Sequence, residues 1–137
     1  KPSEISVKFE GEGFSRSSFV EGAQLWQGHT FVMGNVYPKE FEGFEMMVPT
    51  PAAKGQNCAG GRITANADGK IYILTSNNGA VRKGWKILTS CYTRCAKDGK
   101  LKGTFYIAER YVQAGDVVEL PQFKNTWGRI VLAKSIE

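Results

Sequence analysis

The chain has 137 residues, of which 42% are apolar, 12% aromatic and 23% charged. That length suits one domain, and so high an apolar fraction excludes an intrinsically disordered chain. A net charge of +5 excludes an acidic solvating tail and makes a polyanionic partner worth testing, while one histidine and three cysteines leave little for metal or acid–base chemistry.

Period-2 patterns dominate from the N-terminus onward. Ile5, Val7 and Phe9 alternate with Ser6, Lys8 and Glu10, which predicts a half-buried strand. Residues 30–36 (TFVMGNV) form a second extended run, stopped by Tyr37-Pro38 and the polar stretch 39–43. Residues 44–48 continue as a strand until Pro49 and Pro51 end it. The stretch 50–61 (TPAAKGQNCAGG) has turn formers without periodicity and is expected to be a long loop. Asp68-Gly69 separates 62–67 from 70–75, and this dipeptide is the usual signature of a type I′ hairpin. Ile71, Tyr72, Ile73 and Leu74 are apolar on both faces, which places this strand in the middle of its sheet.

A turn is expected at Asn77-Asn78-Gly79, then a strand over 85–94, a second Asp-Gly turn at Asp98-Gly99, and a strand over 103–112. After a turn at 113–116, the runs 117–120 and 128–136 close the domain. No segment carries a capped i, i+3, i+4, i+7 apolar stripe. The expected fold is therefore all-β: an antiparallel two-sheet β-sandwich, jelly-roll-like, with about nine to ten strands in a single domain over 1–137.

The chemistry needed for an enzyme is missing. His29 is the sole imidazole and no G-x-S-x-G precedes it, so a nucleophile–base pair has no support. Carboxylates such as Glu109, Asp116 and Glu119 exist, but no spacing sets two of them across a cleft. Cys58, Cys91 and Cys95 lack C-x2-C spacing and companion histidines, so no zinc site is expected. Cys91 and Cys95 would stand ~13 Å apart in an extended strand, too far for a bridge; Cys58 is open to pairing with either, and three reduced thiols are the equal alternative. The run Thr64-x-Asn66-x-Asp68-Gly69 resembles a calcium loop only superficially, with Thr in place of the first Asp and Thr75 where the bidentate Glu belongs. No cofactor is expected, and calcium has no motif to support it.

The charge is unevenly placed. Residues 1–49 carry four basic and seven acidic side chains, and residues 50–137 carry 14 and 6. Arg82, Lys83, Lys86, Arg94, Lys97, Lys100 and Lys102 oppose only Asp98. Spaced lysines of this kind protect edge strands from pairing with other chains, and they also form a patch that attracts anions. Trp26, Trp85 and Trp127 each stand beside glycine or polar residues near a predicted strand end. A flat indole suits stacking on the C–H face of a sugar. The expected ligand site therefore joins Trp26, Trp85, Trp127 and Tyr92 to the basic Arg82, Lys83 and Lys86; the alternative is that each tryptophan plugs an end of the sandwich. Basic and aromatic residues also interleave in single-strand nucleic-acid binders, but no RNP-type motif is present and the strand count exceeds an OB barrel, so nucleic acid is the weaker partner.

Residues 28–43 (GHTFVMGNVYPKEFEG), 63–76 (ITANADGKIYILTS) and Gly84-Trp85-Lys86 resemble the accessory β-sandwich domains that accompany sialidase-like and other polysaccharide-degrading enzymes secreted by gut-type Bacteroidetes. The similarity spans residues 25–133 through a P-x-x-F-x-G turn and a D-G-x-x-Y hairpin. It implies a non-catalytic module of a longer secreted, periplasmic or cell-surface protein, with a polysaccharide or oligosaccharide as ligand and a catalytic domain as neighbour. A structural interaction module with no ligand of its own is the competing expectation.

Overall fold

The structure, a computed structural model, describes residues 2–76, 83–122, 124 and 127–137; the side chains of 89–97, 101 and 102 lie outside the description. Eleven strands occur among these residues. They are β1 (Ser6–Glu10), β2 (Phe14–Ser18), β3 (Val32–Asn35), β4 (Glu45–Pro49), β5 (Arg62–Ala65), β6 (Gly69–Thr75), β7 (Lys86–Lys97), β8 (Lys100–Val112), β9 (Val117–Glu119), β10 (Ile130–Ala133) and β11 (Ser135–Ile136).

The fold is an all-β sandwich. A four-stranded sheet has the order β11-β1-β5-β9, and a seven-stranded sheet the order β2-β4-β10-β6-β8-β7-β3. The β1–β11 pair is parallel, and the other strand pairs are antiparallel.

β6 sits in the middle of the large sheet, between β10 and β8. Both of its faces are covered. Ile71 and Ile73, with Val131, Ala133 and Ala108, pack onto Val7, Ile63, Ala65, Val118 and Ile136 of the small sheet. Tyr72 and Leu74, with Ile107, Ile130, Leu132 and Met46, pack the opposite way, against Phe19, Leu25, Trp26, Val36, Phe41 and Phe44. Much of this second cover is irregular chain between β2 and β4, held by bonds such as Met33 N–H to the Ala23 carbonyl at 2.8 Å and Phe19 N–H to the Phe44 carbonyl at 2.8 Å. The large sheet is thus the middle of three layers, which is why its central strand is apolar at consecutive positions.

The two Asp-Gly dipeptides behave differently. Asp98 (φ 55°) and Gly99 (φ 76°) both adopt left-handed conformations, and Lys97 pairs with Lys100, as a type I′ hairpin requires. Asp68-Gly69 does not make the expected hairpin. β5 pairs with β1 and β9, β6 pairs with β10 and β8, and the dipeptide carries the chain from one sheet to the other. Glycine is needed at 69 for space: a Cβ there would meet Ser3 Oγ at 2.6 Å and Ile5 Cγ2 at 2.8 Å. Asp68 Oδ1 instead accepts the Ala114 N–H at 2.8 Å, tying this corner to the one between β8 and β9.

The run expected as one strand over 128–136 is likewise two. It breaks at Lys134, placing β10 in the large sheet and β11 in the small one. β2 was not foreseen, because FSRSS has neither an apolar alternation nor β-branched residues; pairing with β4 alone makes it a strand. The turn expected at 77–79 lies outside the described residues.

Truncating the middle of this arrangement removes packing from a site that has no room to collapse. Ile73→Ala, at a fully buried position, should cost about 2–5 kcal/mol in urea unfolding. Val117→Ala, on the edge strand β9 and 57% exposed, should stay within about 0.5 kcal/mol.

Candidate functional site

The tryptophans do not form the expected platform. Trp26 is 2% exposed and Trp85 is 7% exposed. Trp26 is enclosed by Trp127, Phe105 and Phe31, with ring centroids 4.5, 5.2 and 6.1 Å away. Its Nε1–H points to the Gly128 carbonyl at 3.4 Å. Trp85 packs among Ile71, Ala108 and Val131 in the inter-sheet core, with the Arg110 guanidinium 5.9 Å from its ring centroid. The physical reason is one of magnitude. Burying an indole of ~200 Å² at ~25 cal/mol per Å² yields about 5 kcal/mol, against ~1 kcal/mol for an aromatic contact beyond its area. Trp127 alone remains half-buried, tilted against Phe31 with ring centroids 5.4 Å apart and edge-on to His29 at 4.7 Å.

The basic residues separate as well. Lys86 faces away from Trp85, because neighbouring residues of a strand point to opposite faces. Lys83 is exposed on the short turn before β7. Arg82 and the side chain of Tyr92 lie outside the described residues. Of the expected cluster, Trp26 and Trp85 thus serve the interior, and Lys86 lies on the other face of the large sheet from Trp85.

What the fold assembles instead lies on β6 and β8. Across this ladder Lys70 stands opposite Tyr111 and Tyr72 opposite Glu109, and Lys86 of β7 stands opposite Glu109 from the other side. Antiparallel partners share a face, so these five side chains project from the irregular-layer side of the large sheet. Tyr111 is 74% exposed, the most open large apolar residue among those described. Lys70 Nζ lies 5.1 Å from the Tyr111 ring centroid and 3.4 Å from Glu109 Oε2, whose side chain is only 8% exposed. The Tyr72 hydroxyl accepts the Ser3 N–H at 2.6 Å and brings the N-terminal segment alongside. A cavity of about 200 Å³ opens here, lined by Lys70, Tyr72, Glu109, Phe41, Leu88 and Pro2.

Electrostatics fits this geometry. Desolvation opposes the charge of Lys70, but the Glu109 carboxylate and then the Tyr111 hydroxyl outweigh it and raise the ammonium above its usual range. Burial raises the Tyr72 hydroxyl, partly offset by the Ser3 N–H and the Lys70 charge. Elsewhere, burial lowers the guanidinium of the fully buried Arg129 to about 10, with Cys58 acting in the other direction.

A larger opening of about 760 Å³ lies over the end of the small sheet. Glu10, Arg62 and Glu119 stand side by side across β1, β5 and β9 there, with Glu12 and Gln122 at the margins. Among the described residues no aromatic side chain lines it. The carboxylates named from sequence stay apart: Glu109 joins Lys70, Glu119 lines this cleft, and Asp116 Oδ2 accepts the Gln113 N–H at 2.8 Å to close a turn. Cys58 is a free, buried thiol. Among the described residues no three His, Cys, Asp or Glu side chains converge as metal ligands, and no helix is long and apolar enough to cross a membrane.

No family model, curated protein or solved structure matches this chain.

Strand parity carries a signal for the site in the sequence itself. Phe105 and Ile107 are buried in the core on the same face of β8 that Glu109 and Tyr111 continue. An apolar alternation that turns polar and aromatic without breaking register marks where a strand leaves its core.

The pKa directions set a stability window. Lys70 and Tyr72 have folded values above their unfolded ones, so their contribution is present below about pH 10 and fades as pH rises through the folded values. Arg129 has the opposite sign, since its lowered value makes the charged form a cost that shrinks above about pH 10. Tyr72→Phe should accordingly show a shallower fall in Tm than the unchanged protein between about pH 9 and 11, followed by circular dichroism.

Proposed function

We propose that this domain is a non-catalytic carbohydrate-binding module. One observation carries the reading: an exposed tyrosine ring, Tyr111, beside the Lys70–Glu109 ion pair at a small, partly apolar cavity. A sugar ring has an apolar C–H face and a rim of hydroxyls. The phenol ring offers a flat apolar surface to the first, while a carboxylate and an ammonium serve the second as acceptor and donor. Lys86, on the same face, adds a second cation for ligands that carry carboxylates.

The loose likeness of residues 28–43 and 63–76 to accessory domains of secreted polysaccharide-degrading proteins supports the same reading, with a catalytic domain as neighbour. The alternative, a structural module without a ligand, draws on the burial of Trp26 and Trp85.

A glycan array probed at low and high salt separates the two. Binding is expected, with Tyr111→Ala weakening it about fivefold or more, equivalent to ~1 kcal/mol of lost ring contact. Lys83→Gln, on the exposed turn before β7, should leave binding unchanged. Loss of affinity in high salt would assign the selectivity to Lys70 and Lys86. If no glycan is retained at either salt, the ligand-free module is the correct description.

A further inference from the structure

We infer that the cavity beside Tyr111 takes a single terminal sugar residue, end-on, while the next residue of the glycan lies outside on the Tyr111 ring. This deepens the carbohydrate-binding reading and rests on it.

Size comes first. The cavity holds about 200 Å³, the share of about seven waters at ~30 Å³ each, which matches one pyranose ring and falls below the ~300–1,000 Å³ of pockets for larger ligands. A chain running through would need a groove continuing on both sides of a ring, longer than a cavity of this volume lined by Pro2, Phe41 and Leu88 provides.

The chemistry of the walls is divided as a pyranose is. Phe41, Leu88 and Pro2 are apolar, while Lys70, Tyr72, Glu109 and Glu40 are polar. Glu109 Oε2 faces Lys70 Nζ at 3.4 Å. The second oxygen of a largely buried carboxylate is a strong acceptor for a sugar hydroxyl, since charge-assisted bonds are roughly twice as strong as neutral ones. Lys70 donates beside it. Tyr111 follows Glu109 by two residues on the same face of β8, so its ring stands at the distance of the next sugar unit and not inside the cavity.

The test uses methyl glycosides of a hexose, an N-acetylhexosamine, a 6-deoxyhexose and a uronic acid, each one ring with a capped anomeric oxygen, alongside the longer glycans retained on the array. Saturation-transfer NMR and titration calorimetry report binding. At least one methyl glycoside should bind. Glu109→Gln should weaken it about tenfold or more, and Tyr111→Ala should leave it within about twofold while weakening the corresponding disaccharide. Glu40→Trp, which fills the mouth from an exposed position, should block both, and circular dichroism would verify its fold. Long glycans that bind while every methyl glycoside fails would overturn end-on capture and leave the carbohydrate reading standing. Equal losses of methyl glycoside and disaccharide on Tyr111→Ala would also overturn it. Failure of all sugars, long and short, would remove both readings together.

Discussion

Everything in this molecule depends on covering both faces of one strand. β6 presents Ile71 and Ile73 to the small sheet, and Tyr72 and Leu74 to the irregular layer. The hydrophobic gain is roughly proportional to the area removed from water, so a strand apolar at consecutive positions is stable only between two covers. The small sheet and the irregular chain between β2 and β4 supply them. Side-chain alternation then assigns every other residue of the large sheet to one core or the other. The same alternation sends Trp85 inward and Lys86 outward, and brings Glu109 and Tyr111 out of the core in which Phe105 and Ile107 end.

The sandwich class was legible because period-2 patterning and turn residues are local properties, and β6 was placed centrally because its apolar run admits few alternatives. Sheet membership was not legible. An Asp-Gly step looks the same whether it reverses a hairpin, as at Asp98-Gly99, or carries the chain across to the other sheet, as at Asp68-Gly69. The difference lies in contacts with Ser3 and Ala114, distant in sequence. β2 was hidden for a related reason, since its polar residues become a strand only through β4.

The candidate site was less legible, for one reason. The sequence neighbours of Trp26 and Trp85 are polar or glycine, a context that suggests a surface role. An indole's position is decided by the area it can bury, and both lie where the fold closes over large rings. Tyr111 escaped notice because it lies inside a strand among ordinary β-formers. Its exposure follows from where the irregular layer stops covering the large sheet, a limit marked in the sequence only by the alternation turning polar after Ile107. The basic excess also resolves into parts: Lys86 shares a face with Tyr111, whereas Lys83 is exposed on the preceding turn.

The corners that defeated the hairpin reading have a consequence of their own. β5 passes to β6, β8 to β9 and β10 to β11 through links of a few residues, and at Lys134 through one. Neither sheet can peel away without pulling a covalently adjacent strand out of the other. Sub-global opening, in which one sheet melts while its partner persists, is thereby denied to most of the chain, and the protected amides of both sheets should exchange through a single cooperative unit. A domain that opens only all at once shows proteases little beyond its loops.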